Sequence, residues 1–339
     1  MNKVQKIKNV LKGDDIGGVA FGFWTHLPGI DLDPVRLAEE TYKFYKKYDI
    51  DFVKTMNNGM YAIEDYGCEI DYSEVEKGGV AKLVHTPING PKDWERISKC
   101  DLNSGALKRE LDSLKLLKEK INGEAPIIFT VFSPITIAAK LSRNLVFEHI
   151  KNGDAKSVEK ALIVITENTK SLIREIKKIG VDGVFFAAQS SSYDITDLET
   201  YEKFGKPYDL EVLKEAKDMW FNVIHAHGNN IMFKILRDYP VDVFNWHGWE
   251  TLPDIKEAQI ATQKTIMTGV SRMDITNSNL NELSNQIYKT IMDTKGKRLI
   301  LTPGCVIRHP LNEDTLNFVK NEINYWYEKI MKEGNIWNL

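Results

Sequence analysis

The hydrophobic residues of the chain fall in short runs that are separated by longer amphipathic stretches. Runs rich in Val, Ile and Phe without strict alternation are typical of strands buried on both faces of a sheet. Eight such runs predict strands at residues 17–23, 51–55, 126–131, 183–187, 222–226, 241–245, 264–269 and 298–302. The stretches between them have helical spacing, most clearly at residues 157–179, where Gly180 stands at a position that ends helices.

Strands that alternate with helices over the whole chain determine the predicted fold class. Further helices are predicted at residues 210–220, 253–263, 280–293 and 316–332. The order predicts an α/β protein, a (β/α)8 TIM barrel that forms a single domain over residues 1–339. A ninth β-like run at 81–85 is expected in an excursion between the second and third barrel strands. An open doubly wound sheet is the alternative, but the chain has neither a GxGxxG after its first strand nor a P-loop.

Composition and charge exclude several classes of partner. The formal net charge is −3 and basic and acidic residues are mixed, so we expect neither nucleic acid nor a membrane surface as a partner. The N-terminus lacks the apolar core of a secretory signal, and no apolar stretch approaches the ~20 residues that span a bilayer. The three cysteines, Cys68, Cys100 and Cys305, form no disulfide framework and indicate a reducing cytoplasmic environment.

The loops that follow the barrel strands are the expected place for functional side chains. Four of the seven histidines and one of the three cysteines fall there. The candidate residues in these loops are Trp24, His26, Asn58, Ser133, Gln189, Tyr193, His225, His227, Trp246, His247, Arg272 and Cys305.

His225, His227 and Cys305 form the strongest candidate constellation. Residues two apart on a strand point to the same face, so both imidazoles can converge on one ion. Cys305 follows a later strand and can add a thiolate, which gives a ligand set suited to a catalytic zinc ion with one open position. In the alternative interpretation, the histidines are hydrogen-bonded core and loop residues and Cys305 is a small buried residue. Cys68 and Cys100 are interpreted as structural.

The other candidates have roles in catalysis or substrate binding. His247 lies between Trp246 and Trp249 and is a candidate general acid or base, or alternatively a further metal ligand. Tyr193 offers a hydroxyl donor as the second catalytic candidate. The predicted substrate-binding residues are Trp24, His26, Asn58, Ser133, Gln189, Trp246 and Arg272. Glu64, Asp65 and Glu69 are interpreted as a solvated loop rather than as paired catalytic carboxylates.

Several segments together resemble the uroporphyrinogen decarboxylase superfamily in order and spacing. They are FTVFSPITIAAKL, GVDGVFFAAQSSSYDITDLETYEKFGKPY, VDVFNWH, IMTGVSRMD and RLILTPGCVI. The resemblance implies a barrel with a deep cleft at the C-terminal ends of its strands. In the true decarboxylases, two arginines of an N-terminal motif bind substrate carboxylates. The corresponding stretch here, FGFWTHLPGIDLDP, contains no arginine, and the nearest, Arg36, follows it. Asp65 and Asp71 are the only candidates for the family's catalytic aspartate.

At the metal positions the chain is more similar to the methylcobamide:thiol methyltransferases of the same superfamily, including the coenzyme M branch. Those proteins bind zinc through an H-x-C pair and a distant cysteine, and this chain has H-A-H and Cys305. The resemblance implies zinc-dependent methyl transfer from a corrinoid, carried by a partner protein, to a small thiol. Trp24, Trp246 and Trp249 would line the mouth.

Two alternative functions remain from the sequence. One is metal-independent decarboxylation of uroporphyrinogen or a related carboxylated substrate, a carboxy-lyase reaction. Arg272 and Arg308 would then bind the substrate, while Tyr193 and His247 would orient it or protonate the product. The other is a non-catalytic protein that binds a tetrapyrrole or corrinoid. Analogy with the superfamily also suggests a homodimer.

Overall fold

A curled sheet of eight parallel strands organises the computed structural model, which describes residues 1–77 and 81–336. Its strands are β1 (Ala20–Phe21), β2 (Val53–Lys54), β5 (Ile127–Phe132), β6 (Gly183–Ala188), β7 (Val223–Ala226), β8 (Val243–Asn245), β9 (Thr265–Val270) and β10 (Leu299–Pro303). They pair in the order β1-β10-β9-β8-β7-β6-β5-β2. The backbone N–H of Asp51, next to β2, donates to the carbonyl of Phe21 on β1 at 3.0 Å, so the two ends of this order meet. The predicted α/β class is confirmed.

The strands form where the sequence has its buried hydrophobic runs. Every residue of the eight strands is buried, which explains why their side chains do not alternate between apolar and polar. Neighbouring strands pair in parallel, with Ile128 of β5 opposite Gly183 of β6 and Phe186 of β6 opposite Ile224 of β7. Their C-terminal ends therefore lie at one end of the sheet.

A two-stranded antiparallel hairpin lies between β2 and β5 in the chain. Its strands are β3 (Glu69–Asp71) and β4 (Lys82–His85). Their side chains are exposed or half-buried, in contrast to the strands of the large sheet. Arg143 donates to the carbonyls of Leu83 and Val84 of β4 at 3.2 and 2.8 Å, which ties this hairpin to the rest of the fold.

Helices connect the strands of the large sheet and cover it. They are α1 (Lys3–Lys12), α2 (Pro34–Tyr48), α3 (Tyr61–Glu64), α4 (Gly105–Ile121), α5 (Pro134–Leu141), α6 (Leu145–His149), α7 (Ala155–Ile179), α8 (Leu198–Phe204), α9 (Lys206–Ala216), α10 (Phe233–Leu236), α11 (Ile255–Thr262), α12 (Arg272–Thr276), α13 (Leu280–Thr294) and α14 (Glu313–Ile336). The helix α7 ends at Gly180, whose φ of 86° gives the left-handed cap that the sequence predicted. Within the described part of the chain, no helix combines the length and the apolar character needed to cross a membrane.

Aromatic side chains fill the interior of the curled sheet. The ring of Trp24 lies 6.5 Å from that of Phe52 and 5.8 Å from that of Phe185, and Phe52 lies 5.5 Å from Phe221. These rings come from the segments around β1, β2, β6 and β7, so they join opposite parts of the sheet. The result is a packed layer against which the side chains of the candidate site lie.

Candidate metal centre

Four side chains meet at the C-terminal ends of β7, β8 and β10. One donor atom from each of His225, His227, His247 and Cys305 lies within 4.8 Å of the others. The Nδ1 of His227 is 3.3 Å from the Nε2 of His225 and 3.7 Å from the Sγ of Cys305. His225, His247 and Cys305 are buried, and His227 is partly exposed. The structure therefore brings together the three predicted ligands, and His247 joins them.

The orientation of His225 is set by Asn245 on the neighbouring strand β8. The amide nitrogen of Asn245 donates to the carbonyl of Met267 at 2.5 Å, so its oxygen is the atom that faces His225 Nδ1. His225 Nδ1 must then carry the proton, and the lone pair of Nε2 points into the cluster. Burial lowers the pKa of His225 to about 4 despite the nearby Cys305 sulfur, so the ring is neutral at pH 7. A neutral imidazole with this tautomer is ready to bind a metal.

The orientation of His247 is set by the carboxylate of Glu250. Its Nδ1 donates to Glu250 Oε2 at 3.0 Å, and the Nε of Arg272 lies 3.7 Å from the other oxygen of Glu250. The Nε2 of His247 is buried and has no hydrogen-bond partner among the described residues. Burial would lower the pKa of His247, but the Cys305 sulfur and the Glu250 carboxylate raise it to about 9. A buried ring nitrogen without a partner needs a ligand, and a metal ion would supply one.

Cys305 reaches the cluster because the preceding residue is a glycine. A Cβ on Gly304 would lie 2.6 Å from the Cα of His247 and 2.8 Å from the carbonyl oxygen of Trp246. The loop after β10 can thus lie directly against the loop after β8. Burial would raise the pKa of the Cys305 thiol, but the imidazoles of His225, His227 and His247 hold it well below its ordinary value. This lowering of the pKa favours the thiolate, the form that binds metals.

A network of polar side chains orders the loops after β1 and β2. His26 Nδ1 hydrogen-bonds the carbonyl oxygen of Asn57 at 3.0 Å, and the Asn57 side chain donates to Glu110 on α4. Arg109 then bridges Glu110, at 3.1 Å, and Glu64, at 3.0 and 2.8 Å. Burial lowers the pKa of His26 to about 4, with a further decrease from Lys54. Burial raises the pKa of Glu110 to about 7 although Arg109 opposes this.

Other predicted residues take structural positions. Ser133 is fully buried and caps α5, where its oxygen accepts from Thr136 N at 3.3 Å. Trp246 is 0% exposed and its Nε1 donates to the carbonyl of Pro253 at 3.1 Å, while Trp249 Nε1 donates to that of Gly269 at 2.9 Å. Trp24, 1% exposed, belongs to the packed aromatic layer. Trp24 and Trp246 therefore contribute to the interior rather than to an exposed opening.

Two predicted residues on the loop after β6 lie outside the cluster. Tyr193 is 52% exposed, and its hydroxyl has no hydrogen-bond partner in the described part of the chain. Gln189 is partly exposed directly after β6. Among the remaining candidates, Asn58 is buried and accepts from Met60 N at 2.9 Å, and Arg308 is exposed. The roles of these residues in substrate binding or catalysis remain predictions.

The acidic residues after β2 have identifiable structural partners. Asp65 accepts from the backbone N–H groups of Ala106 and Leu107 at the start of α4, at 2.7 and 2.8 Å. Asp71 accepts from the N–H of Ser73 at 2.8 Å. Glu64 is partly buried and paired with Arg109, which differs from the predicted solvated loop because α4 packs beside α3.

Sequence reasoning missed Glu250 and Lys54. Glu250 lies three residues after His247, a spacing that could have indicated the pair. Lys54 lies on β2 and is only 6% exposed, and nothing in a hydrophobic run marks a lysine as buried.

Comparison with known protein families identifies the family of this chain. The family model described as uroporphyrinogen decarboxylase (URO-D) matches residues 25–325. The chain therefore belongs to the uroporphyrinogen decarboxylase family.

Individual relatives include methyltransferases and decarboxylases. The chain is 23% identical over 167 residues to a methylcobamide:CoM methyltransferase MtbA of Methanosarcina acetivorans, which covers 49% of this chain and 48% of the relative. The match thus spans about half the length of that protein. A uroporphyrinogen decarboxylase of Staphylococcus aureus is 23% identical over 253 residues, 70% of this chain and 68% of the relative.

A solved structure resembles the whole fold. A methyltransferase from Methanosarcina mazei superposes with a TM-score of 0.83 and covers 96% of this chain and 99% of that chain at 17% identity. At this identity the similarity shows that the folds are alike.

Proposed function

We propose that this protein transfers a methyl group from a corrinoid, carried by a partner protein, to a small thiol, with zinc held by His225, His227, Cys305 and His247. The observation that carries the proposal is the convergence of these four donors within 4.8 Å, with the buried Nε2 of His247 lacking a partner. The methylcobamide:CoM methyltransferase relatives support the reaction class.

The donor set fits zinc better than the hard cations. Nitrogen and sulfur donors select zinc, whereas Mg²⁺ and Ca²⁺ prefer oxygen ligands. When bound, the ion would supply Lewis acidity that keeps a thiol substrate deprotonated at neutral pH, with the thiol entering as a fifth ligand. Asn245 and Glu250 fix the rings of His225 and His247 through their outer nitrogens, as partners of metal-binding histidines do.

His247 contributes its Nε2 to the donor set, and Glu250 at its Nδ1 fixes the ring. The proton of the thiol would therefore be released to solvent as the thiol binds the ion. The deprotonated thiol sulfur would attack the methyl carbon and form a thioether, and the electron pair of the broken bond would remain on the corrinoid of the partner protein. Burial of the cluster keeps water away from the sulfur.

Metal-independent decarboxylation is the second candidate function. The decarboxylase relative, which matches 70% of the chain, favours it. The loop after β1 argues against decarboxylation, because it contains no arginine that could pair with the carboxylates of such a substrate.

Metal analysis of protein purified without a histidine tag tests the proposal. We expect about one zinc per chain in the wild type, its loss in Cys305→Ala, and its retention in the matched control Cys100→Ala, because Cys100 lies outside the cluster. The zinc protein should also demethylate methylcobalamin in the presence of a thiol. Absence of zinc from both the wild type and the variant would overturn the proposal. In that case, turnover of uroporphyrinogen would indicate a decarboxylase. Binding of a tetrapyrrole without turnover would indicate a non-catalytic carrier.

A further inference from the structure

Asp209 is a buried carboxyl group without a cation beside it. It lies on α9 and is 0% exposed. Its Oδ2 accepts from the hydroxyl groups of Tyr201 at 2.7 Å and Tyr239 at 2.8 Å, whereas its Oδ1 is buried and has no hydrogen-bond partner among the described residues. Ser133, the cap residue of α5, is the third polar side chain next to it, and no described basic side chain forms an ion pair with it. A charged carboxylate is therefore costly at this place.

The two tyrosines come from segments on either side of the loop that carries His227. Tyr201 lies on α8, which follows the loop after β6, and Tyr239 lies between α10 and β8. Both side chains are 1% exposed. Their hydroxyl groups meet on one carboxyl oxygen, so Asp209 joins a segment that precedes β7 in the chain to a segment that follows the loop after β7.

Hydrogen bonds continue from the loop after β6 to the loop after β7. Ser192 Oγ donates to the carbonyl of Asn229 at 2.7 Å. In the opposite direction, Met232 N donates to the carbonyl of Ser191 at 2.9 Å. The loop after β7, which begins with His227, is therefore held by the same segments that Asp209 joins.

The protonation state of Asp209 decides how stable this arrangement is. Burial raises the pKa of Asp209 from 3.8 to about 7, although the hydroxyl groups of Tyr201, Tyr239 and Ser133 oppose this. The closed cluster therefore binds a proton more tightly than a carboxyl group in water does. This stabilisation is complete below about pH 4 and is lost as pH rises to about 7, because hydration of the carboxylate requires that the surrounding segments separate.

We propose that Asp209, Tyr201 and Tyr239 form a pH-operated latch on the loop after β7. Uncharged Asp209 keeps this loop closed, and ionised Asp209 releases it together with α8. The inference goes beyond the proposed function, because it concerns control of the loop rather than the chemistry at the metal centre. It holds whichever group occupies that centre.

Hydrogen–deuterium exchange at several pH values, read by mass spectrometry and corrected for the intrinsic exchange rate, tests the latch. If opening returns the carboxyl group to its ordinary pKa, the opening equilibrium rises about 80-fold between pH 5 and pH 8. Peptides from residues 190–204 and 227–241 of the wild type should lose protection by this factor. Peptides from α1 and α2, which exchange by local opening away from Asp209, should not change.

Two variants and a control separate the latch from a purely structural role. Asp209→Asn has no titratable group at this position, so its protection should not depend on pH. Tyr239→Phe removes a donor that opposes the raised pKa, so the midpoint of the change should move to higher pH. The control Glu110→Gln replaces another fully buried carboxyl group, which is paired with Arg109, and it should leave the change in residues 227–241 intact.

Equal protection of residues 227–241 at pH 5 and pH 8 in the wild type would overturn the latch. A change that persists with the same midpoint in Asp209→Asn would also overturn it. So would an equal change in every peptide, because global stability alone would then respond to pH. If Asp209→Asn does not fold, an unshifted midpoint in Tyr239→Phe would overturn the latch.

Discussion

Zinc binding should release about one proton from this protein at pH 7. Burial lowers the pKa of His225 to about 4, so its ring is already neutral, and the pKa of Cys305 lies well below its ordinary value, which favours the thiolate. The pKa of His247 is about 9, so its ring carries a proton at pH 7 that the metal must displace. Each pH unit below this pKa costs about 1.4 kcal/mol. Zinc affinity should therefore rise about tenfold between pH 7 and pH 8.

Calorimetry in two buffers with different ionisation enthalpies measures the proton count directly. The metal-free wild type should also show thiolate absorbance near 240 nm at pH 7, and Cys305→Ala should lack this absorbance. The control Cys68→Ala should retain it, because burial raises the pKa of Cys68 to about 11 and its thiol does not contribute. If the zinc affinity does not change from pH 7 to pH 8 and no proton is released, the metal does not displace the proton of His247. Absence of the thiolate band would refute the charge state assigned to Cys305.

Three further variants test the packing around the site and the core. Asp65→Ala removes the acceptor of two N–H groups at the start of α4, so urea titration should show a loss of about 1–2 kcal/mol with unchanged zinc content. Gly304→Ala places a Cβ 2.6 Å from His247 Cα, so calorimetry should show a zinc affinity at least about tenfold weaker. An unchanged zinc affinity would contradict the close approach of the loops after β8 and β10. Burial raises the pKa of Asp209 from 3.8 to about 7, although Tyr201 and Tyr239 oppose this, so the folded state binds its proton more tightly than the unfolded chain. Stability should therefore fall as pH rises from about 4 to 7, and between pH 5 and pH 8 the wild type should lose about 3 kcal/mol more than Asp209→Asn; equal losses would contradict the assignment.

The strands were predictable from the sequence because burial on both faces leaves a direct hydrophobic signal. The two least accurate predictions are the first two strands, predicted at 17–23 and 51–55 and observed as Ala20–Phe21 and Val53–Lys54. Hydrophobicity reports that a segment is buried, but the length of a strand depends on how many residues its neighbours pair with.

Helices with polar surfaces were harder to predict. The helix α2 was not among the predicted helices, although Asp33 caps it through the N–H groups of Val35 and Arg36, at 2.9 and 3.0 Å, and Pro34 opens it. This combination of Asp and Pro is a start signal that could have been used.

The composition of the candidate site was partly predictable. Parallel strands end at one edge of the sheet, so His225, His227 and Cys305 could be expected to lie near each other. His247 was proposed as a ligand only as an alternative. The contact of Lys54 with the ring of Phe185 joins residues far apart in the chain, and no local pattern encodes it.

The donors of the candidate metal centre are spread over a long stretch of chain, and this affects the order of assembly. His225 and Cys305 are 80 positions apart, and three strands, β8, β9 and β10, form between them. The segment from His225 to His247 carries only imidazole donors, and the thiolate of Cys305 joins them only after β9 and β10 have formed. Metal loading should therefore follow folding of the C-terminal half, and zinc supplied during synthesis should not accelerate refolding.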